Sequence, residues 1–371
     1  MSQQKILFLL NQLVVGGTER NVVVLSQNLD HAKYEIKLWT LLPGGGFESR
    51  VVNTPVKIHC LNRKSPRDPI FALRAAWQIA RTDASLVHTF LPTIGFYAAL
   101  ARRLFFLRKP IIQWVGASNF ESPRTRLYWK WLCGSVDLLI ANSESVKQEL
   151  IKLGVDPARI VIINNGHDLA AYKKPVDVAA VRSEFQLQPD QKLLLCVSRL
   201  VSYKRVRDAI DAVPHILAKG HNVKLVIAGD GEERESLSQQ IKELGLTDRV
   251  LLLGNRADVI ELRRSADLFL YPSEVEGLCN SVIEACLARM SIVACAARGV
   301  VDVVQNEKEA LLVPERSPER LASAVDALLR DPAKAERLAA AAEEQANRRF
   351  GMPAFVEQIS AVYDRLIAKG S

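Results

Sequence analysis

Four side chains in the second half of the sequence have types and spacings that suit a ligand with both phosphate and hydroxyl groups. Arg199 and Lys204 follow an apolar run at 192–198, where two fixed cations could clamp a diphosphate. Glu276 and Glu284 are eight residues apart, the first in a predicted loop and the second in an otherwise apolar helix. A carboxylate in such a helix needs a partner, which either ribose hydroxyls or a buried salt bridge would supply.

Glycine-rich turns and helix starts supply further candidates. Gly16 and Gly17 follow the first apolar run and open a helix, where backbone N–H groups favour an anion. Gly229 and Asp230 belong to a tight Gly-Asp-Gly turn after another apolar run. Backbone groups at the start of the helix near residue 279 would face a phosphate, which adds Leu278, Cys279, Asn280 and Ser281. Each of these features alone also fits an ordinary turn.

The elements that must position these residues alternate between strand and helix. Apolar runs predict strands at 5–10, 35–42, 56–61, 85–90, 110–115, 136–141 and 160–164, and then at 192–198, 223–228, 249–253, 267–272, 291–295 and 310–313. Continuous apolar strands separated by amphipathic helices predict parallel sheets covered on both faces. The predicted fold class is therefore α/β, with two doubly wound, Rossmann-like domains facing each other across a cleft that holds the ligand.

A length of 371 residues fits two domains. The polar segment 164–177 is the predicted linker, so the domains are predicted at 1–168 and 169–352, with a helix at 353–371 that packs back on the first domain. Residues 1–174 carry 23 Lys and Arg against 12 Asp and Glu, and residues 175–371 carry 26 against 29. The basic first half suits an anionic membrane surface, an anionic substrate or nucleic acid.

As a set, these motifs resemble those of the family 4 retaining glycosyltransferases, which have the GT-B fold. The family's Glu-x7-Glu motif stands here as Glu276 to Glu284, and its Gly/Ser-Arg-Leu…Lys motif as Ser198 to Lys204. Its Gly-Asp/Glu-Gly turn stands at 229–231 and its Gly-Gly-x-Glu-Arg segment at 16–20. The resemblance covers essentially the full chain, with the motifs in order and at the family's spacing.

The resemblance implies transfer of a sugar, with retention, from a nucleoside-diphosphate sugar to a lipid-linked or surface-glycan acceptor, without a metal or other cofactor. A UDP-sugar is the expected donor. Arg199 and Lys204 would bind its diphosphate, Glu284 its ribose and Glu276 the transferred sugar, while backbone groups near Arg256 would meet the base. The alternatives are a nucleotide-sugar epimerase of the same fold and a non-catalytic nucleotide-sugar-binding protein.

The sequence departs from the family pattern in four places. The turn at 289–291, the loop at 298–302 and the pair at 309–310 lack residues that the family usually has. The histidine that many members carry after the strand at 110–115 is also absent from Trp114 to Asn119. His88, at the end of an earlier strand, is the remaining candidate for a catalytic histidine, although a lone histidine at such a position is more often a packed or capping residue.

Two stretches of the first half, 100–109 and 124–131, mix cations with large apolar rings. That mixture suits a helix at an anionic membrane surface, and it also suits rings that pack inward beneath solvated cations. No recognition motif for nucleic acid accompanies the charge, so no nucleic-acid partner is expected. The six cysteines show no paired metal-ligand spacing, no apolar run approaches about 18 residues, and the apolar stretch at the start is broken by Asn11 and Gln12 with no small-residue cleavage site after it. These features predict a cytoplasmic protein, and the basic first half places it at the periphery of the inner face of the membrane.

Overall fold

The computed structural model describes residues 3–14, 16–65, 67–116 and 122–370. These residues form two compact units, the first made of Met1–Gly166 and Met352–Ser371 and the second of His167–Gly351. The chain therefore leaves the first unit inside the polar segment 164–177 and returns to it at the last helix.

The first unit is built on a seven-stranded parallel sheet with strand order β3-β2-β1-β4-β5-β6-β7. Its central strands are buried on both faces because helices cover both sides. The strands are β1 Gln4–Leu10, β2 Tyr34–Thr40, β3 Lys57–Cys60, β4 Leu86–Thr89, β5 Ile111–Val115, β6 Leu138–Ala141 and β7 Ile160–Ile162. The helices are α1 Gly17–Asn28, α2 Glu48–Val52, α3 Pro69–Ala80, α4 Pro92–Phe105, α5 Pro123–Cys133 and α6 Glu144–Lys152.

The second unit repeats this plan around a six-stranded parallel sheet with order β10-β9-β8-β11-β12-β13. Its strands are β8 Lys192–Val197, β9 Val223–Ala228, β10 Val250–Gly254, β11 Leu268–Tyr271, β12 Ser291–Cys295 and β13 Leu311–Val313. Its helices are α7 Val178–Glu184, α8 Val206–Ala218, α9 Arg234–Glu243, α10 Val259–Ser265, α11 Asn280–Leu287, α12 Pro318–Arg330 and α13 Pro332–Phe350. Each of the thirteen apolar runs predicted as a strand overlaps one of these thirteen strands, so the two parallel-sheet α/β domains are confirmed.

The last helix, α14 (Met352–Gly370), packs on the first unit. Phe355 and Tyr363 are buried in the same apolar core as the strands β1, β2, β4 and β5. Asp364 accepts hydrogen bonds from Tyr34 Oη (2.7 Å) and Lys33 Nζ (2.6 Å) at the start of the second strand. The buried face of α14 is thus part of the first unit's core, although the whole second unit separates this helix from the rest of the first unit in sequence.

Candidate functional site

Arg199, Lys204 and Glu276 lie on loops that leave the second unit's sheet where its strand order changes direction. From β8 the chain goes first to β9 on one side and later to β11 on the other, so β8 and β11 are neighbours whose following loops diverge. Crevices of this kind, at the carboxyl ends of the strands, bind ligands in doubly wound sheets. The loop 198–204 leaves β8, and the loop 272–279 leaves β11.

At this crevice four side chains form one connected group, which we call the Lys204 network. Lys204 Nζ forms an ion pair with Glu276 Oε1 and donates a hydrogen bond to Tyr271 Oη at 3.1 Å. Tyr271 Oη in turn donates to Glu276 Oε1 at 2.6 Å, and Ser273 Oγ donates to the same oxygen at 2.8 Å. Lys204 and Glu276 are 72 residues apart, so the two sequence motifs meet in space.

The Lys204 network is nearly enclosed by protein. The side chains of Lys204 and Glu276 are 11% and 10% exposed, and Tyr271 and Ser273 are buried. Burial raises the pKa of Tyr271 well above its usual value, and neighbouring Cys279 and Glu276 raise it further. Tyr271 therefore keeps its proton throughout the working pH range and can both donate and accept a hydrogen bond.

Arg199, the other predicted phosphate-binding cation, lies beside this network. Its guanidinium donates a hydrogen bond to Tyr203 Oη, and its Cζ lies 5.9 Å from the centre of the Tyr203 ring. Lys204 Nζ lies 5.6 Å from the centre of the same ring. The structure thus places both cations within about 6 Å of the centre of one aromatic ring, with Arg199 exposed and Lys204 largely buried.

Two glycines let the loops of the site approach each other. Gly229, the first residue of the Gly-Asp-Gly turn, has φ +138°, and a Cβ there would lie 1.9 Å from the Ser198 carbonyl oxygen. Gly299 has φ +83°, and a Cβ there would lie 2.8 Å from Glu276 Cβ. The Glu276 N–H also donates to the carbonyl of Arg298 at 3.2 Å, so the backbone at 298–299 supports the loop that carries Glu276. Asp230, the middle residue of the Gly-Asp-Gly turn, is exposed.

The start of α11 forms another wall of the crevice. Leu278 and Cys279 are buried, and burial raises the pKa of the Cys279 thiol. Asn280 is the first helical residue, and Ser281 Oγ donates to the carbonyl of Val197 at 3.0 Å. That bond fixes the beginning of α11 at the carboxyl end of β8, which is the position expected for a helix start that faces a phosphate.

Glu284 has a protein partner. Its carboxylate lies 2.7 Å from Nη2 of Arg263, and the two side chains are 14% and 2% exposed. The buried salt bridge expected as the alternative to ribose binding is therefore present. Arg256 is also engaged, since its guanidinium donates to both carboxylate oxygens of Glu184 and of Asp258. The predicted contact with a nucleotide base therefore involves backbone groups near Arg256 and not its side chain.

The first unit holds the remaining predicted residues. Gly16 precedes the first turn of α1 in an extended conformation, and Gly17 is its first residue. A Cβ on Gly16 would lie 2.4 Å from Glu19 Oε2, and burial raises the pKa of the Glu19 carboxyl. Trp114 is buried at the end of β5, whereas residues 117–119 of the segment that lacks the family histidine lie outside the described residues.

His88 lies inside β4 rather than at a surface. It is fully buried and stacks on Phe90 with 4.1 Å between ring centres, and its Nδ1 lies 2.7 Å from Tyr363 Oη on α14. Burial lowers the pKa of His88 to about 3, so it stays neutral near pH 7. The catalytic role predicted for His88 is therefore not supported by its position, which is that of a core histidine with a buried partner.

Family models match both units of this chain. The model described as "Glycosyltransferase Family 4" matches residues 15–171, and the one described as "Glycosyl transferases group 1" matches residues 177–345. The chain belongs to the family 4 glycosyltransferases. The matched ranges follow the two units closely, so the motifs that suggested this family lie within them in the expected order.

The names of curated relatives of this family 4 glycosyltransferase specify different substrates. N-acetyl-alpha-D-glucosaminyl L-malate synthase of Bacillus anthracis is 25% identical over 61% of this chain and 65% of its own length. D-inositol 3-phosphate glycosyltransferase of Kineococcus radiotolerans is 30% identical over 63% of this chain and 58% of its own. The chain therefore spans less than two thirds of the length of these curated relatives.

Solved structures show that the fold is GT-B. Anabaena HepE, in complex with UDP and glucose, is 23% identical, with a TM-score of 0.84 over 98% of this chain and 100% of that one. A glycosyltransferase from Rickettsia africae is 19% identical, with a TM-score of 0.85 over 99% of both chains. At these identities the likeness concerns the fold.

Three residues of the site were not singled out by the sequence. In the sequence, Tyr271 and Ser273 are marked only by their closeness to Glu276. Arg263 is one of several cations in a predicted helix. The signal for Tyr271 was a tyrosine at the end of an otherwise apolar strand, because a buried hydroxyl there needs partners at the strand's carboxyl end. Arg263 gave no such signal, since only the folded chain brings α10 against α11.

Proposed function

We propose that this glycosyltransferase moves a sugar, with retention of configuration, from a UDP-sugar to a lipid-linked or surface-glycan acceptor. The proposal of a nucleotide-sugar donor rests on the Lys204 network at the crevice between β8 and β11. It joins a cation suited to phosphate and a carboxylate suited to sugar hydroxyls within one hydrogen-bonded group. UDP and glucose are bound by HepE, which has the same fold, and this supports the choice of donor.

The charges of the site suit departure of a nucleoside diphosphate. Lys204 has three ammonium protons, and Glu276 and Tyr271 accept two of them, which leaves one for a phosphate oxygen. Arg199, exposed at the rim, would bind the same diphosphate and stabilise the negative charge that grows as the sugar leaves. Glu276 would hold the transferred sugar and Glu284 the ribose, and the cations at the site make a catalytic metal unnecessary in this proposal.

Donor choice is testable by thermal unfolding with UDP, ADP and GDP. A nucleotide at about 100 times its dissociation constant adds roughly 2.7 kcal/mol to the free energy of unfolding. We expect UDP to raise the unfolding midpoint, with or without EDTA, and the other two diphosphates to raise it less. Equal shifts with all three nucleotides would refute selection of UDP, and loss of the shift in EDTA would refute metal independence.

Turnover separates transfer from the two alternatives. A transferase consumes UDP-sugar much faster when a lipid-linked or glycan acceptor is present, and its product has the anomeric configuration of the donor. An epimerase converts the UDP-sugar without acceptor, and a binding protein is stabilised by it without converting it. Either of these last two results would refute the proposed reaction.

An anionic membrane surface is part of the proposal because the first unit presents apolar and cationic side chains together. Phe106 is 81% exposed just after α4, and Leu127 on α5 is 71% exposed. A groove of about 470 Å³ nearby is lined by Arg126, Leu127, Lys130, Lys152 and Leu153. The rings of 124–131 pack on the core, while their cations stay outside. Within the described residues, no helix combines the length and apolar character needed to cross a bilayer.

Vesicle binding tests the membrane surface. Each Lys or Arg near an anionic leaflet contributes about 1 kcal/mol, so binding to phosphatidylglycerol vesicles should weaken with salt. Changing Arg108, Lys109, Arg126 and Lys130 to Ser should abolish it, because all four are exposed beside the apolar side chains. The matched control changes four exposed lysines of the second unit, Lys173, Lys174, Lys219 and Lys242. Equal losses in both variants, or equal binding to neutral vesicles, would contradict the proposal.

A further inference from the structure

The Tyr271 hydroxyl lies between the two charged groups of the Lys204 network. It donates to Glu276 Oε1 at 2.6 Å and accepts from Lys204 Nζ at 3.1 Å. The tyrosine is 2% exposed, and its ring stacks on Phe269 of the same strand with 5.8 Å between ring centres. A rigid strand in the sheet therefore fixes the position of this hydroxyl.

The donors around Glu276 are arranged asymmetrically. Three side chains, Lys204, Tyr271 and Ser273, donate hydrogen bonds to Glu276, and all three contact the same oxygen, Oε1. This arrangement holds the carboxylate in one orientation and directs Oε2 away from its anchoring contacts. On the other side, the two acceptors Glu276 and Tyr271 fix two of the three N–H directions of Lys204, and so they also fix the third.

From this geometry we infer that Tyr271 is a positioning residue for the donor site, acting through Lys204 and Glu276. Its hydroxyl sets the direction of the Lys204 N–H that meets a phosphate and of the Glu276 oxygen that meets the sugar. This inference rests on the proposed function for the identity of the ligand. The ordering of Lys204 by Tyr271, however, is a property of the protein alone and can be measured without any ligand.

The chain offers a matched control in its other unit. Tyr34 is also a buried tyrosine on a strand, and its hydroxyl donates to Asp364 at 2.7 Å beside the ammonium of Lys33. Tyr34→Phe and Tyr271→Phe therefore remove the same atom from the same kind of tyrosine–carboxylate–lysine group. Phe keeps the ring and its packing, so both variants should fold, with similar small losses in unfolding midpoint.

The first measurement is the NMR signal of the Lys204 ammonium, assigned by its absence in Lys204→Arg. An ammonium held by Glu276 and Tyr271 exchanges its protons slowly, so we expect the signal in the parent protein and in Tyr34→Phe. We expect it to broaden or disappear in Tyr271→Phe. An unchanged signal in Tyr271→Phe would overturn the inference, whether or not the protein binds UDP.

The second measurement compares UDP affinity, kcat and KM in the same variants. Hydrogen bonds to charged groups are strong enough that we expect Tyr271→Phe to lose roughly tenfold in UDP affinity and tenfold in kcat. Tyr34→Phe should keep both values. Parental values in Tyr271→Phe, or equal losses in the two variants, would overturn the inference. If the parent binds no UDP while the Lys204 signal still depends on Tyr271, the proposed function fails and the positioning role stands.

Discussion

Arg263 and Glu284 form the most deeply buried ion pair described at the site, with exposures of 2% and 14%. Removing one partner of a buried pair leaves the other charge without compensation, which costs about 3–5 kcal/mol. The carboxylate that would hold the ribose is therefore also a structural residue. A loss of activity in a Glu284 variant has two possible origins, and only a stability measurement separates them.

Glu284→Ala should lower the free energy of unfolding by roughly 3–5 kcal/mol in chemical denaturation. The double variant Arg263→Met, Glu284→Met should recover most of that loss, because apolar side chains of similar size replace both charges. If the double variant is as stable as the parent and no longer binds UDP, Glu284 has a binding role as well. A parental free energy of unfolding in Glu284→Ala would contradict the buried pair.

His88 makes the stability of the first unit depend on pH. Burial lowers its pKa to about 3, against about 6.5 in an unfolded chain. Between these values the unfolded state binds a proton that the folded state does not. The stability is therefore fully present above pH 6.5 and falls as the pH drops towards 3, by up to about 1.4 kcal/mol per pH unit.

The double variant His88→Phe, Tyr363→Phe tests this dependence, because it removes both members of the buried hydrogen bond. Denaturation between pH 6.5 and pH 4 should show a smaller loss of stability in this variant than in the parent. Other groups that titrate in this range affect the stability of both proteins alike. The difference between the two pH dependences is therefore due to His88 and Tyr363. Parallel curves for the two proteins would show that His88 is not buried in its neutral form.

At the scale of the elements, the backbone at Gly299 supports the loop that carries Glu276. Gly220 has almost the same backbone conformation, with φ +88° against +83°, but nothing lies within 4 Å of its Cβ position. An alanine at either position meets the same left-handed strain of about 1–2 kcal/mol. Only at Gly299 does the new methyl group also contact Glu276.

Gly299→Ala should therefore lower kcat at least tenfold more than Gly220→Ala does, at a similar cost in unfolding midpoint from backbone strain. The extra loss follows from displacement of Glu276, since a Cβ 2.8 Å from its neighbours forces something to move. Steady-state kinetics and thermal unfolding of the two variants provide the check. Equal kinetic effects would mean that the 298–299 backbone does not position Glu276.

The elements themselves could be predicted because their signal is local. A run such as 223–228 is too short for a typical helix and is followed by a Gly-Asp-Gly turn, which favours a strand in a sheet covered on both faces. The contacts within the site were not local. Lys204 and Glu276 were assigned to different parts of the donor, yet they pair directly across 72 residues. The choice between a catalytic and a packed His88 could not be made from the sequence, because its partner, Tyr363, lies 275 residues away on the last helix.

At the scale of the whole molecule, the C-terminal helix α14 returns to the first unit and packs in its core. Phe355→Ala should lower the free energy of unfolding by about 3–5 kcal/mol, because the phenyl ring is 3% exposed and packs edge-on against Trp114. Gln358→Ala, at an exposed position of the same helix, should change it by less than about 0.5 kcal/mol. Equal stabilities in chemical denaturation would place α14 outside the core.

The central claim is that Lys204 and Glu276 act on different parts of one UDP-sugar. Calorimetric binding of UDP to Lys204→Ala and Glu276→Gln, with single-turnover rates for the same variants, tests it most directly. Lys204→Ala should weaken UDP binding at least tenfold, because it removes a charge-assisted bond to phosphate. Glu276→Gln should bind UDP as tightly as the parent or more tightly, because a negative charge has been removed, and yet transfer sugar far more slowly. Loss of UDP affinity to the same extent in both variants would contradict the claim.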